Sequence, residues 1–113
     1  SGFLSSHVLY TSRGKPSAGI RVELLRLDGA GRTKLAEAVT NADGRTDDPV
    51  LPKVRFAPGI HELIFHVGAY LDQSGADTSF LDTVPLRFSM TEADHYHVPH
   101  LLSPFGYSTY RGS

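Results

Sequence analysis

Apolar residues along this chain recur with a period of two, in short runs separated by turn formers. In "IRVEL", Ile20, Val22 and Leu24 fall on one face of an extended segment and Arg21 and Glu23 on the other. In "HELIFHV", Leu63, Phe65 and Val67 alternate with Glu62, Ile64 and His66. In "VPLRFSM", Val84, Leu86, Phe88 and Met90 alternate with Pro85, Arg87 and Ser89. This is the pattern of strands half-buried against one core. Between the runs stand "RGKP" at 13–16, "DGAG" at 28–31, "NADG" at 41–44, "APG" at 57–59 and "SPFG" at 103–106, each a turn signal. The spacing predicts strands near 4–10, 19–27, 35–41, 52–56, 61–67, 82–90, 95–102 and 107–111. "GAYLDQSG" leaves room for one or two helical turns. Many short strands with one short helix predict an all-β, eight-stranded, two-sheet sandwich.

With 113 residues the chain is sized for one domain, and no repeat or linker divides it. We take 1–3 as a stub and 4–113 as a single β-sandwich domain. A composition of 40% hydrophobic and 20% charged residues suits a packed core rather than a disordered chain. Eleven basic and twelve acidic residues give a net charge of -1, so charge supplies no argument for nucleic acid or an anionic membrane surface. There is no cysteine, which removes disulfide and thiolate chemistry without fixing a compartment. The expected location is cytoplasmic, or periplasmic if a leader has been removed.

The candidate chemistry lies in six histidines, three of them in "HYHVPH". Strand parity puts His95, His97, Pro99 and Leu101 on one face, and Tyr96, Val98, His100 and Leu102 on the other. In the first strand His7 shares a face with Ser5 and Leu9, opposite Leu4, Val8 and Tyr10. In the last, Ser108 and Tyr110 oppose Tyr107, Thr109 and Arg111. Three readings of the histidines stay open on these grounds: solvated or satisfied imidazoles, a zinc or copper site built on His-x-His, and acid–base catalysis. In "NADGRTD", Arg45 follows a tight Asp-Gly turn. It is either a solvated arginine or a fixed guanidinium able to grip an oxygen-rich planar substrate.

Taken together, "LSSHVLYTSRGKPSAGIRVEL", "TNADGRTD", "GIHELIFHVGAYL", "FLDTVPLRF" and "HYHVPHLLSPFGYSTYRGS" resemble the transthyretin-like family, and within it the branch that hydrolyses 5-hydroxyisourate. The resemblance runs from Leu4 to Ser113, and the final "YRGS" separates that branch from the hormone carriers. It implies a homotetramer, a dimer of dimers, with clefts where the dimers meet, and no metal or organic cofactor. It implies opening of the six-membered ring of 5-hydroxyisourate to 2-oxo-4-hydroxy-4-carboxy-5-ureidoimidazoline in urate breakdown. The family's active positions fall on His7, Arg45, His97 and the Tyr110-Arg111-Gly112-Ser113 ending. Of these, the catalytic group is His7, Arg45 and His97, with no assignment of which histidine is the base. His7, Arg45, Ser108, Tyr110 and Ser113 would bind substrate, and an extension past Ser113 would obstruct the site. His100 departs from the aliphatic residue more usual after "HVP", and its parity keeps it out of the catalytic set. The alternatives are a transthyretin-type carrier of aromatic ligands and a zinc-binding sandwich.

Overall fold

A computed structural model describes residues 3–48, 50, 57–91 and 95–112. Two four-stranded sheets face one another. The first has the order β2-β1-β7-β8, from β1 (Phe3–Tyr10), β2 (Lys15–Pro16), β7 (His95–Ser103) and β8 (Gly106–Thr109). The second has the order β4-β3-β5-β6, from β3 (Arg21–Asp28), β4 (Gly31–Val39), β5 (Gly59–Phe65) and β6 (Val84–Met90). Among the described residues one helix, α1 (Val67–Gln73), links β5 towards β6. This is the expected eight-stranded sandwich, with differences at the level of elements.

The expected strand near 52–56 lies outside the described residues. Among the described residues the eighth strand is Lys15–Pro16, two residues paired with Tyr10 and Leu9 across the turn after β1. β4 begins at Gly31, earlier than its apolar alternation suggests. A hairpin pairs its polar start, Arg32 to Lys34, with Leu27 to Leu25. The strand expected to run to residue 67 stops at Phe65, because Gly68 packs directly on Asp82 and donates its N–H to the Asp82 carbonyl at 2.7 Å. Val67 then enters the helix, still fully buried.

Inward-facing residues follow the period of two. Leu4, Val8 and Tyr10 of β1 and Tyr96, Val98 and Leu102 of β7 meet Val22, Leu24, Leu63 and Phe65 of the other sheet. Burying each such side chain is worth about 1.5–3 kcal/mol. The outward face of the β1–β7 pair is thereby left to the alternate residues, and that is where the candidate chemistry collects.

His100 occupies an inward position of β7 and is fully buried. Its ring stacks on Phe65 at 4.3 Å and on Tyr107 at 5.4 Å, and neither nitrogen has a hydrogen-bond partner among the described residues. Burial pushes its pKa down from 6.5 to about 4. Below pH 6.5 the unfolded chain takes up a proton that the folded chain refuses, so stability falls as pH drops towards 4. A fall from 6.5 to about 4 corresponds to about 3 kcal/mol. Replacing His100 with Leu should therefore leave stability at pH 7 unchanged or higher, and give an advantage of about 2.5 kcal/mol over wild type at pH 4.5. Urea unfolding at a fixed protein concentration measures both, and parallel pH curves for the two proteins would place the acid sensitivity elsewhere.

Candidate active site

β1 and β7 run parallel, with Ser5 opposite His97 and His7 opposite Pro99. His7 and His97 are thus diagonal neighbours on the outward face of adjacent strands. Around them opens a cleft of about 350 Å³, lined by His7 and Leu9 from β1, His97, Pro99 and Leu101 from β7, and Tyr110 and Gly112 from the terminal segment. Its size falls in the range of small-ligand sites. Leu9, Pro99 and Leu101 give it an apolar floor, and the two imidazoles supply the polar wall.

Arg45 arrives by a turn folded against β1. Asn41 holds that turn: its Oδ1 accepts from the backbone N–H of Asp43 at 2.9 Å and of Arg45 at 3.3 Å, and its own N–H donates to the Arg45 carbonyl at 2.6 Å. Gly44 then crosses β1 at close range, accepting the Val8 N–H at 2.8 Å. The result is a single antiparallel bridge between His7 and Arg45. Arg45 lines a smaller recess with Ser5, Ser6, Thr46, Asp47 and Asp48.

The end of the chain folds back along β7. Thr109 donates its hydroxyl to the Pro99 carbonyl at 2.8 Å, and the Gly112 N–H donates to the His97 carbonyl at 2.7 Å. A Cβ on Gly112 would lie 2.9 Å from His97 Cδ2 and 3.3 Å from Pro99 Cγ, so only glycine lets the backbone pass this close to the imidazole. Tyr110 is half-exposed on the cleft wall. Ser108 is exposed opposite Leu101, at the margin of the cleft. Arg111 turns away and stacks its guanidinium over the Tyr96 ring, 4.3 Å from the centroid. Ser113 lies outside the described residues.

His97 is the perturbed imidazole of the cleft. Burial first, then the positive charge of Arg45 and the imidazoles of His95 and His7, holds it below the ordinary histidine pKa. At neutral pH it is an uncharged base facing a half-open pocket, with a guanidinium near enough to disfavour the imidazolium. Such a set can take a proton from water and hold an oxyanion. Among the described residues no three His, Cys, Asp or Glu side chains are disposed to hold a metal ion. No helix among them is long and apolar enough to cross a membrane.

The sequence brings His7, Arg45 and His97 to the same neighbourhood, with Gly112 as part of the ending, and does not reveal two supporting residues. Asn41 is hidden within the turn signal it organises. Ser5 shares the parity of His7, and its hydroxyl lies 2.9 Å from His95 Nε2 and 2.9 Å from His97 Nδ1.

The sequence model of the HIUase/Transthyretin family matches residues 4–112. A 5-hydroxyisourate hydrolase of Mesorhizobium japonicum is 54% identical over 99% of this chain and 93% of its own length. Among solved structures, 5-hydroxyisourate hydrolase of Klebsiella pneumoniae superposes with a TM-score of 0.85 at 36% identity, over 99% of this chain and 94% of the other. An (S)-allantoin synthase superposes with a TM-score of 0.91 at 44% identity, and there the chain spans only 44% of the longer protein. A sandwich whose chain end, turn arginine and paired histidines meet on one sheet face, matched nearly end to end, is that of this family: the chain belongs to the HIUase/Transthyretin family.

Proposed function

We propose that this chain is a hydrolase that opens the six-membered ring of 5-hydroxyisourate. The observation that carries the reading is the pairing of His7 and His97 on one cleft, with the Arg45 turn bridged to His7 beside it. The relatives' activity supports it over the carrier alternative, as does polarity: two imidazoles on the cleft wall, with a guanidinium in the next recess, are unsuited to an apolar hormone.

In the reaction, His97 takes a proton from water as the water oxygen bonds to a ring carbonyl carbon. Arg45 holds the oxyanion that results. The bond from that carbon to the ring nitrogen then breaks, and His97 returns the proton to the departing nitrogen, so that water is divided between acid and amine. His7 orients the water or the substrate beside it. Tyr110, with Ser108 at the margin and Ser113 at the end, hydrogen-bonds the heterocycle. An activated cyclic carbonyl needs no metal or organic cofactor. The cleft lies on an outer sheet face, and assembly of the chain as a homotetramer, a dimer of dimers, would cover it and exclude bulk water.

The test is the ultraviolet absorbance of freshly generated 5-hydroxyisourate. Wild-type protein should consume it well above the spontaneous rate and bind thyroxine negligibly. Decay at the spontaneous rate would end the hydrolase reading, and tight thyroxine binding beside it would put the carrier in its place.

A further inference from the structure

We infer that Ser5 is a positioning residue whose hydroxyl joins His97 to His95, setting the tautomer of His97 and passing protonic charge between the cleft and the outer imidazole. Its part in turnover, and Nδ1–H as the resting form of His97, rest on the hydrolase reading above; the hydrogen-bonded link between the two rings does not.

The geometry begins with strand register. Ser5 stands directly opposite His97 across the parallel β1–β7 pair, and His95 lies two residues before His97 on the same outward face. The two imidazole centroids are 6.1 Å apart, too far for direct contact between nitrogens, and Ser5 Oγ fills the interval with 2.9 Å to each. Both distances are those of good hydrogen bonds.

A serine hydroxyl has one hydrogen, so it can donate to only one of these nitrogens and must accept from the other. The chain therefore has two polarities. In the first, His97 Nδ1–H donates to Ser5 Oγ, and the Ser5 hydroxyl donates to His95 Nε2. Nε2 of His97, the ring nitrogen that Ser5 does not engage, then carries a lone pair and is a base. In the second, His95 Nε2–H donates to Ser5, Ser5 donates to His97 Nδ1, and His97 Nε2 carries a proton and is an acid. A hydrolase that must take a proton from water and return it to nitrogen needs both forms in turn.

Conversion between them balances. A proton from water arrives at His97 Nε2, the Nδ1 proton moves to Ser5 Oγ, and the Ser5 proton moves to His95 Nε2. His97 ends neutral and His95 ends as the imidazolium. Delivery of the Nε2 proton to the leaving nitrogen runs the same three transfers backwards and restores the start. The charged groups around His97 give the relay its purpose. Burial first, then Arg45 from the turn, His95 on its own strand and His7 on β1, all disfavour a cation there, while Tyr110 adds a phenol to the wall. His95 is exposed to water, which solvates the charge that His97 cannot hold.

The experiment uses the full chain, with Ser5→Ala, Ser5→Thr, His95→Gln and the Ser5→Ala/His95→Gln pair. Nitrogen-15 two-bond correlation spectra of the ligand-free protein report the His97 tautomer. Wild type should show Nδ1–H, and Ser5→Ala should move the population to Nε2–H. In the hydrolysis assay Ser5→Ala should lower kcat about 10- to 100-fold with KM within about twofold, and Ser5→Thr should restore most of the loss. Once Ser5 is Ala, His95→Gln should cost nothing more, because the link is already cut. An unchanged His97 tautomer in Ser5→Ala, an undiminished kcat, or losses that multiply in the double variant would each overturn the assignment. Were wild type itself inactive, the functional reading would fall, and the tautomer spectra alone would then decide the place of Ser5.

Discussion

His97→Asn should reduce kcat/KM for 5-hydroxyisourate by about 10²- to 10⁴-fold, the range over which a positioned acid–base group contributes. Asparagine keeps a polar group of similar size at the cleft wall and removes only the titratable nitrogen. The thermal midpoint should therefore hold while activity collapses. A variant retaining a tenth or more of the wild-type rate would take the base away from His97. The pH dependence of wild type sharpens the test. Burial and the charges of Arg45, His95 and His7 hold His97 below the ordinary imidazole pKa. The base form is consequently present at neutral pH and is lost only as pH falls through that lowered value, which puts the acid limb of kcat/KM below 6.5. Removing the charge with Arg45→Ala should slow the reaction and also move this limb to higher pH, since one cause of the depression is gone. An unmoved limb would mean that the guanidinium and the imidazole do not sense each other.

What the sequence disclosed about this site was its sidedness. Alternation in "HYHVPHLL" separates His95, His97, Pro99 and Leu101 from Tyr96, Val98, His100 and Leu102, and the second group is buried in the core. The same alternation puts Ser5, His7 and Leu9 outward on β1. Parity, however, names a face and not a partner. Pairing of β1 with β7 brings together residues about ninety positions apart, and only its register makes Ser5 the neighbour of His97 rather than of Pro99. No local pattern carries that information. Hydropathy also hides His100, a polar residue type held in an aromatic stack between Phe65 and Tyr107. It hides the reason for Gly112 as well, because a missing side chain leaves no pattern until the backbone beside it is placed. The helix was visible as a space between strands. Its start was not, since it depends on Gly68 meeting Asp82 from a distant loop.

Gly44→Ala should cost about 3–4 kcal/mol of stability and most of the activity, at the upper end of what one added methyl group does. Three strands of chain cross at this point. Val8 donates its N–H to the Gly44 carbonyl at 2.8 Å, and its own carbonyl accepts the Ser17 N–H at 2.9 Å. Gly44 has φ of +74°, and a Cβ there would lie 2.3 Å from the Val8 carbonyl oxygen, 3.1 Å from Pro16 Cβ and 3.2 Å from the Ser17 nitrogen. Backbone oxygen cannot rotate aside as a flexible side chain could, so the turn must lift off β1. Lifting it moves Arg45, which is bridged to His7 by the same crossing. A displacement of about 1 Å at a binding group can cost on the order of 10²-fold in rate. Gly14→Ala is the control, because Gly14 has φ of +61° with nothing within 4 Å of a built Cβ. It should lose about 1 kcal/mol, the cost of the left-handed backbone alone, with activity intact. Chemical unfolding and the hydrolysis assay on both variants separate the two effects. Equal losses for Gly14→Ala and Gly44→Ala would mean that conformation, and not contact with β1, is what glycine supplies. Arg45 would then be held opposite His7 by the Asn41 hydrogen bonds without help from the crossing.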